Sequence, residues 1–513
     1  MAKKQLAINM IANVVAFAIQ FGINFFFTPY LIRTVGKEAY SFFPLANSFI
    51  SYASILTIAL NSMASRFITI KIQQNDTKGA NVYFNSVLMG NTLIAIFLAL
   101  PSILTVIFID YLLNIPPALV SEVQILFALV LGGTLVSIVT SVFAVATFAR
   151  NRLELESVRN AESNVLRVLL LIVLFYFFRP SISYIGIANV AVVIFMLVVN
   201  IKYTRLLLPE IEIKKSYFNW NAIKELLSSG VWNSINQLSL ILLTNLDLLI
   251  CNILLGASVT GEYALVKTIP LFIQSLVGML VGVFVPEFMI LYAQNKKDDL
   301  LVSIKRSIKF MSIIMTIPLG FLLIFGDTFF SLWVPNQDTH SLFFLSNLTI
   351  IPLIVTTSIN TVYNVYTVTN KLKIPALVLL ITGILNTLII LLLLNITQLG
   401  VVVIPLVSMV IGLSRNLIFT PIYAARALSV KWNVFYKAIL RGLICCLAVV
   451  SLSLLIKYFY IPKTWITFLG VAIITGILAL ITNIIIALNK SELNIIKGMI
   501  NKILVKVYLI KTK

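Results

Sequence analysis

The chain has little of what most enzyme chemistry needs. Its 513 residues include three cysteines, one histidine and 18 Asp plus Glu, and charged residues make up 11% of the sequence. A typical soluble domain carries about 25% charged residues, so an ordinary soluble enzyme is excluded. Cys251, Cys445 and Cys446 lie in apolar runs, at a spacing that builds neither a metal site nor a disulfide framework. They read as small core residues. His340 stands alone in a short polar connection, too little for a metal centre or a histidine-based triad. Metal catalysis is therefore not expected.

What fills the space is apolar: 60% of the residues are hydrophobic, enough for about fourteen segments of about 20–22 residues, the length that crosses a bilayer core. Most of the chain must live in lipid. Hydropathy predicts spans at 6–32, 40–65, 81–109, 123–149, 160–178, 182–203, 228–254, 259–291, 309–333, 342–369, 374–396, 400–423, 438–460 and 464–488. The connections leave no room for a soluble catalytic domain. Lys3 and Lys4 precede an apolar run too long for a signal-peptide core and without a small-residue cleavage site, so the first span is expected to stay uncleaved.

The 38 Lys and Arg against 18 acids give a net charge of +20. Nucleic acid, anionic lipid or an anionic substrate could each account for such an excess, so the placement of the charges decides. With fourteen spans, 31 of the 38 fall on the side of the N-terminus and only Arg33, Lys37, Arg179, Lys457 and Lys463 on the other, while Lys267 and Arg415 lie within spans. This bias places both termini in the cytoplasm. The excess is thus mostly an orientation signal, and no nucleic-acid partner is expected.

The sequence repeats. Glu38-Ala39-Tyr40 recurs loosely as Glu262-Tyr263-Ala264, with the tyrosines 223 residues apart. Pro101, Asp110 and Pro116 are matched by Pro318, Asp327 and Pro335, at offsets of 217, 217 and 219, and Asn151-Arg152-Leu153 by Asn370-Lys371-Leu372, at 219. Four landmarks in one order argue for six plus six helices. An even number of spans per repeat makes the halves parallel, related by an axis along the membrane normal. The expected fold is an all-α polytopic membrane protein of two six-helix bundles, at 1–205 and 228–425, joined by a cytoplasmic linker at 206–227. Two further helices at 426–490 and a basic tail at 491–513 follow. In the tail, Ile496, Met499, Ile500, Ile503, Val507 and Ile510 share a helical face, as in an amphipathic helix lying on an anionic leaflet or against a partner.

A polar group facing lipid without a partner costs several kcal/mol, and the polar residues inside these spans are arranged. Asn9, Asn13, Gln20, Asn24 and Thr28 form a stripe about 100° wide on the first helix. Asn233, Gln237, Thr244 and Asp247 form another on the seventh, and Asn360, Asn364 and Thr367 a third on the tenth. Interhelical hydrogen bonding explains such stripes, and so does a water-filled cleft between two bundles. Charged residues at membrane depth are functional candidates by default. Asp247 and Lys267 lie about ten residues before and after the turn at Gly256, at similar depth, as a structural ion pair or as groups that bind a coupling cation and a substrate anion in alternation. Arg415 is about fifteen residues into the twelfth span. Arg66 marks the inner end of the second, and Arg159 and Arg167 enter the fifth as a possible basic vestibule.

A sugar chain must cross in a wet path, because desolvating its hydroxyls costs too much. A pyrophosphate on it would be recognised by Arg and Lys through charge-assisted hydrogen bonds, while a lipid tail stays in the bilayer. Here the sequence resembles the polysaccharide-transporter branch of the multidrug/oligosaccharidyl-lipid/polysaccharide flippase superfamily, which includes the O-antigen-unit flippases. The resemblance rests on the fourteen spans, the duplication, Gly36-Lys37-Glu38-Ala39-Tyr40, Phe26-Phe27-Thr28-Pro29-Tyr30-Leu31 and Arg150-Asn151-Arg152. It implies a MATE-like transporter that carries an undecaprenyl-pyrophosphate-linked oligosaccharide from the cytoplasmic to the outer leaflet of a bacterial plasma membrane. It further implies basic residues on the pyrophosphate, for which Arg66, Lys267 and Arg415 are carried over by position, and a coupling ion, Na+ or H+. Asn24, Gln237, Asn360 and Asn364 are the residues expected to face the sugar, and Asp247 the ion. No other cofactor and no metal are expected, and a polysaccharide polymerase is a possible partner. A small-molecule antiporter, a membrane-embedded polymerase and a nonenzymatic scaffold remain as rival readings. The loops at 110–122 and 326–341 lack Lys and Arg, which counts against the polymerase.

Overall fold

The computed structural model describes residues 2–489 and Glu492, so the predicted amphipathic tail lies, Glu492 apart, outside the described residues. Among the described residues there is no strand, and fourteen helices are long and apolar enough to cross a membrane. They are α1 (Ala2–Val35), α2 (Lys37–Gln73), α3 (Thr77–Ile107), α4 (Pro117–Ala149), α5 (Leu153–Phe177), α6 (Ser183–Leu207) and α7 (Trp220–Leu255). Then come α8 (Ala257–Ala293), α9 (Lys297–Trp333), α10 (Thr339–Val368), α11 (Lys373–Ile396), α12 (Gly400–Ala427), α13 (Tyr436–Phe459) and α14 (Trp465–Ala487). The number matches the hydropathy reading, but several helices run further. α2 and α9 each reach 37 residues, because backbone hydrogen bonding continues past the point where the side chains stop being apolar.

Backbone geometry carries the repeat more clearly than the residues do. Gly36 and Gly256, 220 apart, both have φ of +87° at the tight turns that open α2 and α8. Such a φ is strained for any residue with a Cβ. Asn75 and Asn295 (φ 58° and 56°), and Asn151 and Asn370 (both 54°), end corresponding helices in the left-handed region, which asparagine tolerates better than most residues. The α-helical run of α4 gives way to a 3-10 turn at Ser141–Ala144, and that of α10 does so at Asn360–Val362, again 219 residues on.

Contacts group the chain into two compact units, Met1–Ala264 with Ala376–Val401, and Leu265–Pro375 with Val402–Lys513. In the first, α7 lies close on α2: a Cβ at Gly230 would stand 2.2 Å from the Ala59 carbonyl oxygen. Asn233 Nδ2 donates to Ser62 Oγ at 3.0 Å, and Ser234 Oγ to the Ile55 carbonyl at 3.1 Å. α11 joins α7 through Gly383, packed on Leu242 and the Ser239 carbonyl, and through Thr387 Oγ1 donating to the Leu242 carbonyl. Those two helices of the second repeat therefore group with the first-repeat helices. Phe84, Phe143, Leu60 and Leu226 belong to a buried core cluster of this unit.

In the second unit Ile304, Ile359, Val362 and Phe435 sit in a corresponding cluster. α13 and α14 are clipped to α9 along its length. Lys457 Nζ lies 2.7 Å from Asp327, Asn483 Nδ2 donates to the Ile313 carbonyl and Thr316 Oγ1, and Lys309 pairs with Glu492 at 2.7 Å. Large apolar side chains face outward throughout, such as Phe97 at 70% and Ile466 at 85% exposure, a surface suited to lipid and not to water.

Candidate functional site

A polar constellation around a predicted residue lies in the second unit, where two helix irregularities meet. α12 loosens into a π turn at Arg415–Phe419, a distortion that recurs at functional sites. Tyr363 is the first residue after the 3-10 break of α10. Its hydroxyl donates to Asn416 Oδ1 at 2.6 Å and accepts from Arg415 Nη2 at 3.3 Å. Arg415 Nε donates to the same Asn416 oxygen at 3.3 Å, and Asn416 Nδ2 donates to Thr356 Oγ1 at 2.8 Å. One turn further on, Tyr366 donates to the Thr420 carbonyl.

The partners of Arg415 are neutral. It is half-buried and makes no ion pair among the described residues. Two of its five donors are engaged, so the rest of the fork is available to an oxyanion. Asn360 opens the 3-10 break and is half-buried, while Asn364 Nδ2, one residue beyond Tyr363, is buried with no hydrogen-bond partner. The first-unit counterpart of this break is held by neutral groups: Asn91 Nδ2 donates to Asn61 Oδ1 and to Ser141 Oγ.

Asp247, Arg66, Asn24 and Gln237 belong to the first unit. α7 breaks at Asn245, and Asp247 sits buried in the first turn of its last segment, Leu246–Leu255. Its oxygens accept the Leu248 N–H at 2.8 Å and the Tyr263 hydroxyl at 2.9 Å. A carboxylate there is favoured by the positive end of the helix dipole. Lys267 is buried at 9% exposure in α8, three residues before Pro270, and belongs to the second unit. Arg66 and Asn24 are exposed, and Gln237 is half-buried. The stripe on α1 divides: Asn9 bonds Asn151 and the Glu154 N–H, and Asn13 accepts from Ser157, which ties α1 to α5, whereas Gln20 and Asn24 stay exposed.

Arg159 corrects the vestibule expectation. It is 2% exposed, donates to Asn200 Oδ1 and lies 4.0 Å from Glu156, so it ties α5 to α6 and does not line an opening. Tyr363, Thr356 and Asn416 were missed in the sequence, where nothing distinguishes them from other polar residues of apolar helices. The three cysteines are buried and form no disulfide among the described residues, where no cluster of His, Cys, Asp or Glu could hold a metal ion either.

Fourteen candidate spanning helices among the described residues, a repeated backbone pattern and a guanidinium within one of those helices describe a polytopic membrane protein. The chain belongs to the polysaccharide biosynthesis protein family, whose model matches residues 6–291, and the resemblance read from the sequence holds. It is 29% identical to the membrane protein EpsK of Bacillus subtilis (strain 168) over 449 residues, 86% of this chain and 87% of that protein. Its fold is similar to that of the lipid II flippase MurJ in an inward closed conformation (TM-score 0.67, 15% identity, 93% of this chain and 97% of that one). It is also similar to an inward-facing multidrug MATE transporter of the MOP superfamily (TM-score 0.66, 14% identity, 82% and 98%).

Proposed function

We propose that the protein flips a lipid-linked oligosaccharide, an undecaprenyl-pyrophosphate-linked repeat unit of O-antigen, capsule or exopolysaccharide, from the cytoplasmic to the outer leaflet of a bacterial plasma membrane. It works by alternating access, with both termini in the cytoplasm and a Na+ or H+ gradient resetting the cycle. The observation that carries this reading is Arg415, a guanidinium within a spanning helix held by a tyrosine and an asparagine and, among the described residues, by no carboxylate. Such a charge is costly in the membrane unless an anion arrives to share it.

In the proposed cycle Arg415, Lys267 and Arg66 contact the pyrophosphate, and Asn24, Gln237, Asn360 and Asn364 offer hydrogen bonds to sugar hydroxyls. Asp247 takes up the coupling ion. The isoprenoid tail stays in the bilayer, so the protein moves only the polar head and forms or breaks no covalent bond. A polymerase that consumes the flipped unit is the expected partner.

The test is leaflet-resolved accumulation of lipid-linked oligosaccharide in cells with and without the protein, in a background lacking other flippases. The outer-leaflet pool is expected to fall when the protein is absent. An unchanged pool overturns the proposal, and gradient-driven efflux of a cationic dye with no effect on that pool would reassign the protein as a small-molecule antiporter.

A further inference from the structure

A second basic feature lies on the last turns of α6. Val198, Ile201, Lys202, Arg205 and Leu206 line a surface cleft of about 550 Å³. Their spacing places them on one helical face. Val198 and Leu206 are 59% and 68% exposed, so the face looks outward from the first unit. Lys202 and Arg205, one turn apart, are both exposed and make neither a hydrogen bond nor an ion pair among the described residues. Nearby cations are neutralised: Arg150 pairs with Glu210 at 2.7 Å and Lys214 with Glu212 at 2.6 Å.

We infer that this cleft holds one anionic phospholipid. Its phosphate sits against Lys202 and Arg205, and its chains run along Ile201 and Val198 toward the apolar middle of the helix. The division of the lining decides the ligand. Two cations at the end of a spanning helix match a phosphate at headgroup level, and the aliphatic Ile201 and Val198 on the side of the helix middle match acyl chains, for which a soluble phosphate has no use. The carbonyl end of α6 already attracts Arg205, but that partial charge cannot neutralise two cations. The inference does not depend on the transported cargo.

The full-length protein is placed in nanodiscs of phosphatidylcholine with a minority of phosphatidylglycerol, and retained lipid is counted by native mass spectrometry. The wild type is expected to keep a bound phosphatidylglycerol. K202Q/R205Q should lower its retention by about tenfold or more, since each basic side chain near an anionic surface contributes about 1 kcal/mol. K202R/R205K, which keeps both charges, should retain it. K296Q/K297Q removes the same charge from exposed positions at the start of α9 and serves as the control. Equal loss in K202Q/R205Q and the control, equal retention of phosphatidylcholine, or displacement of the lipid by inorganic phosphate alone would each overturn the inference. A fold defect in K202Q/R205Q would lower the melting temperature, and retention by K202R/R205K still decides the matter in that case.

Discussion

An arginine at the centre of a spanning helix costs about 2.5–3.5 kcal/mol on insertion scales, and Arg415 keeps that cost with only neutral partners. Removing the charge should therefore spare the fold and cost the activity. Arg415→Gln is expected to cut outer-leaflet delivery of the lipid-linked unit below a tenth of wild type while leaving the melting temperature unchanged or higher; a fall in both marks the residue as structural. Asn416→Asp makes the sharper comparison, because it places a carboxylate of the same size beside the guanidinium. It should raise thermal stability and abolish transport, since the anion's place is then taken. Tyr363→Phe removes one hydrogen bond to a charged group, worth about 1.5–3 kcal/mol. Apparent substrate affinity should drop about tenfold or more, with the maximal rate less affected.

At the scale of elements, close helix approach is set by glycine at a few points. The Cβ of Gly230→Ala would meet the backbone of Ala59 in α2, with the carbonyl oxygen at 2.2 Å and Cα at 2.7 Å. Backbone cannot rotate away, so a loss of about 1–3 kcal/mol is expected from overpacking. Gly470 in α14 has nothing within 4 Å of its Cβ position, and Gly470→Ala should be neutral or stabilising by up to about 1 kcal/mol through helix propensity. Thermal melts of the two variants in one detergent read the contrast. The clip that follows α14 depends on pH. Burial alone would raise the pKa of Glu492, but the Asn489 N–H and the Lys309 ammonium outweigh it and hold the carboxyl below its ordinary value. A carboxyl depressed in the folded state stabilises above its unfolded pKa, and this contribution is lost as pH falls through the folded value. The wild type should lose melting temperature on acidification through that range, and Glu492→Gln should lose less there. At neutral pH the variant leaves Lys309, 8% exposed, without its carboxylate, and its melting temperature should already be lower than that of the wild type.

For the whole molecule, orientation is the property that the cargo proposal needs most. In a variant with the three cysteines replaced, Pro180→Cys, in the exposed turn between α5 and α6, should react with a membrane-impermeant maleimide in intact cells. Lys296→Cys, between α8 and α9, should react only after permeabilisation. The opposite pattern would invert the direction of transport. The number of spans could be read from one dimension because hydropathy acts segment by segment, each helix satisfying its own backbone in lipid. The repeat was legible for a related reason. Pro101 and Pro318, and Asn151 and Asn370, are residues whose backbone demands are local.

The sequence by itself therefore determined that this is a membrane protein with fourteen candidate spanning helices among its described residues, Lys267 and Arg415 lying within two of them. Tertiary structure decided what those spans do where they meet. The 3-10 breaks of α4 and α10 and the π turn at Arg415 follow from hydrogen bonds between helices, to which apolar periodicity is blind. Arg159 reads as a vestibule charge until Asn200 of α6 is seen to bury it, and Asn9 and Asn24, alike on one stripe, separate into a packing contact and an exposed amide. Partner choice among polar groups in an apolar medium depends on which helix stands opposite, and that is fixed only when the chain has folded.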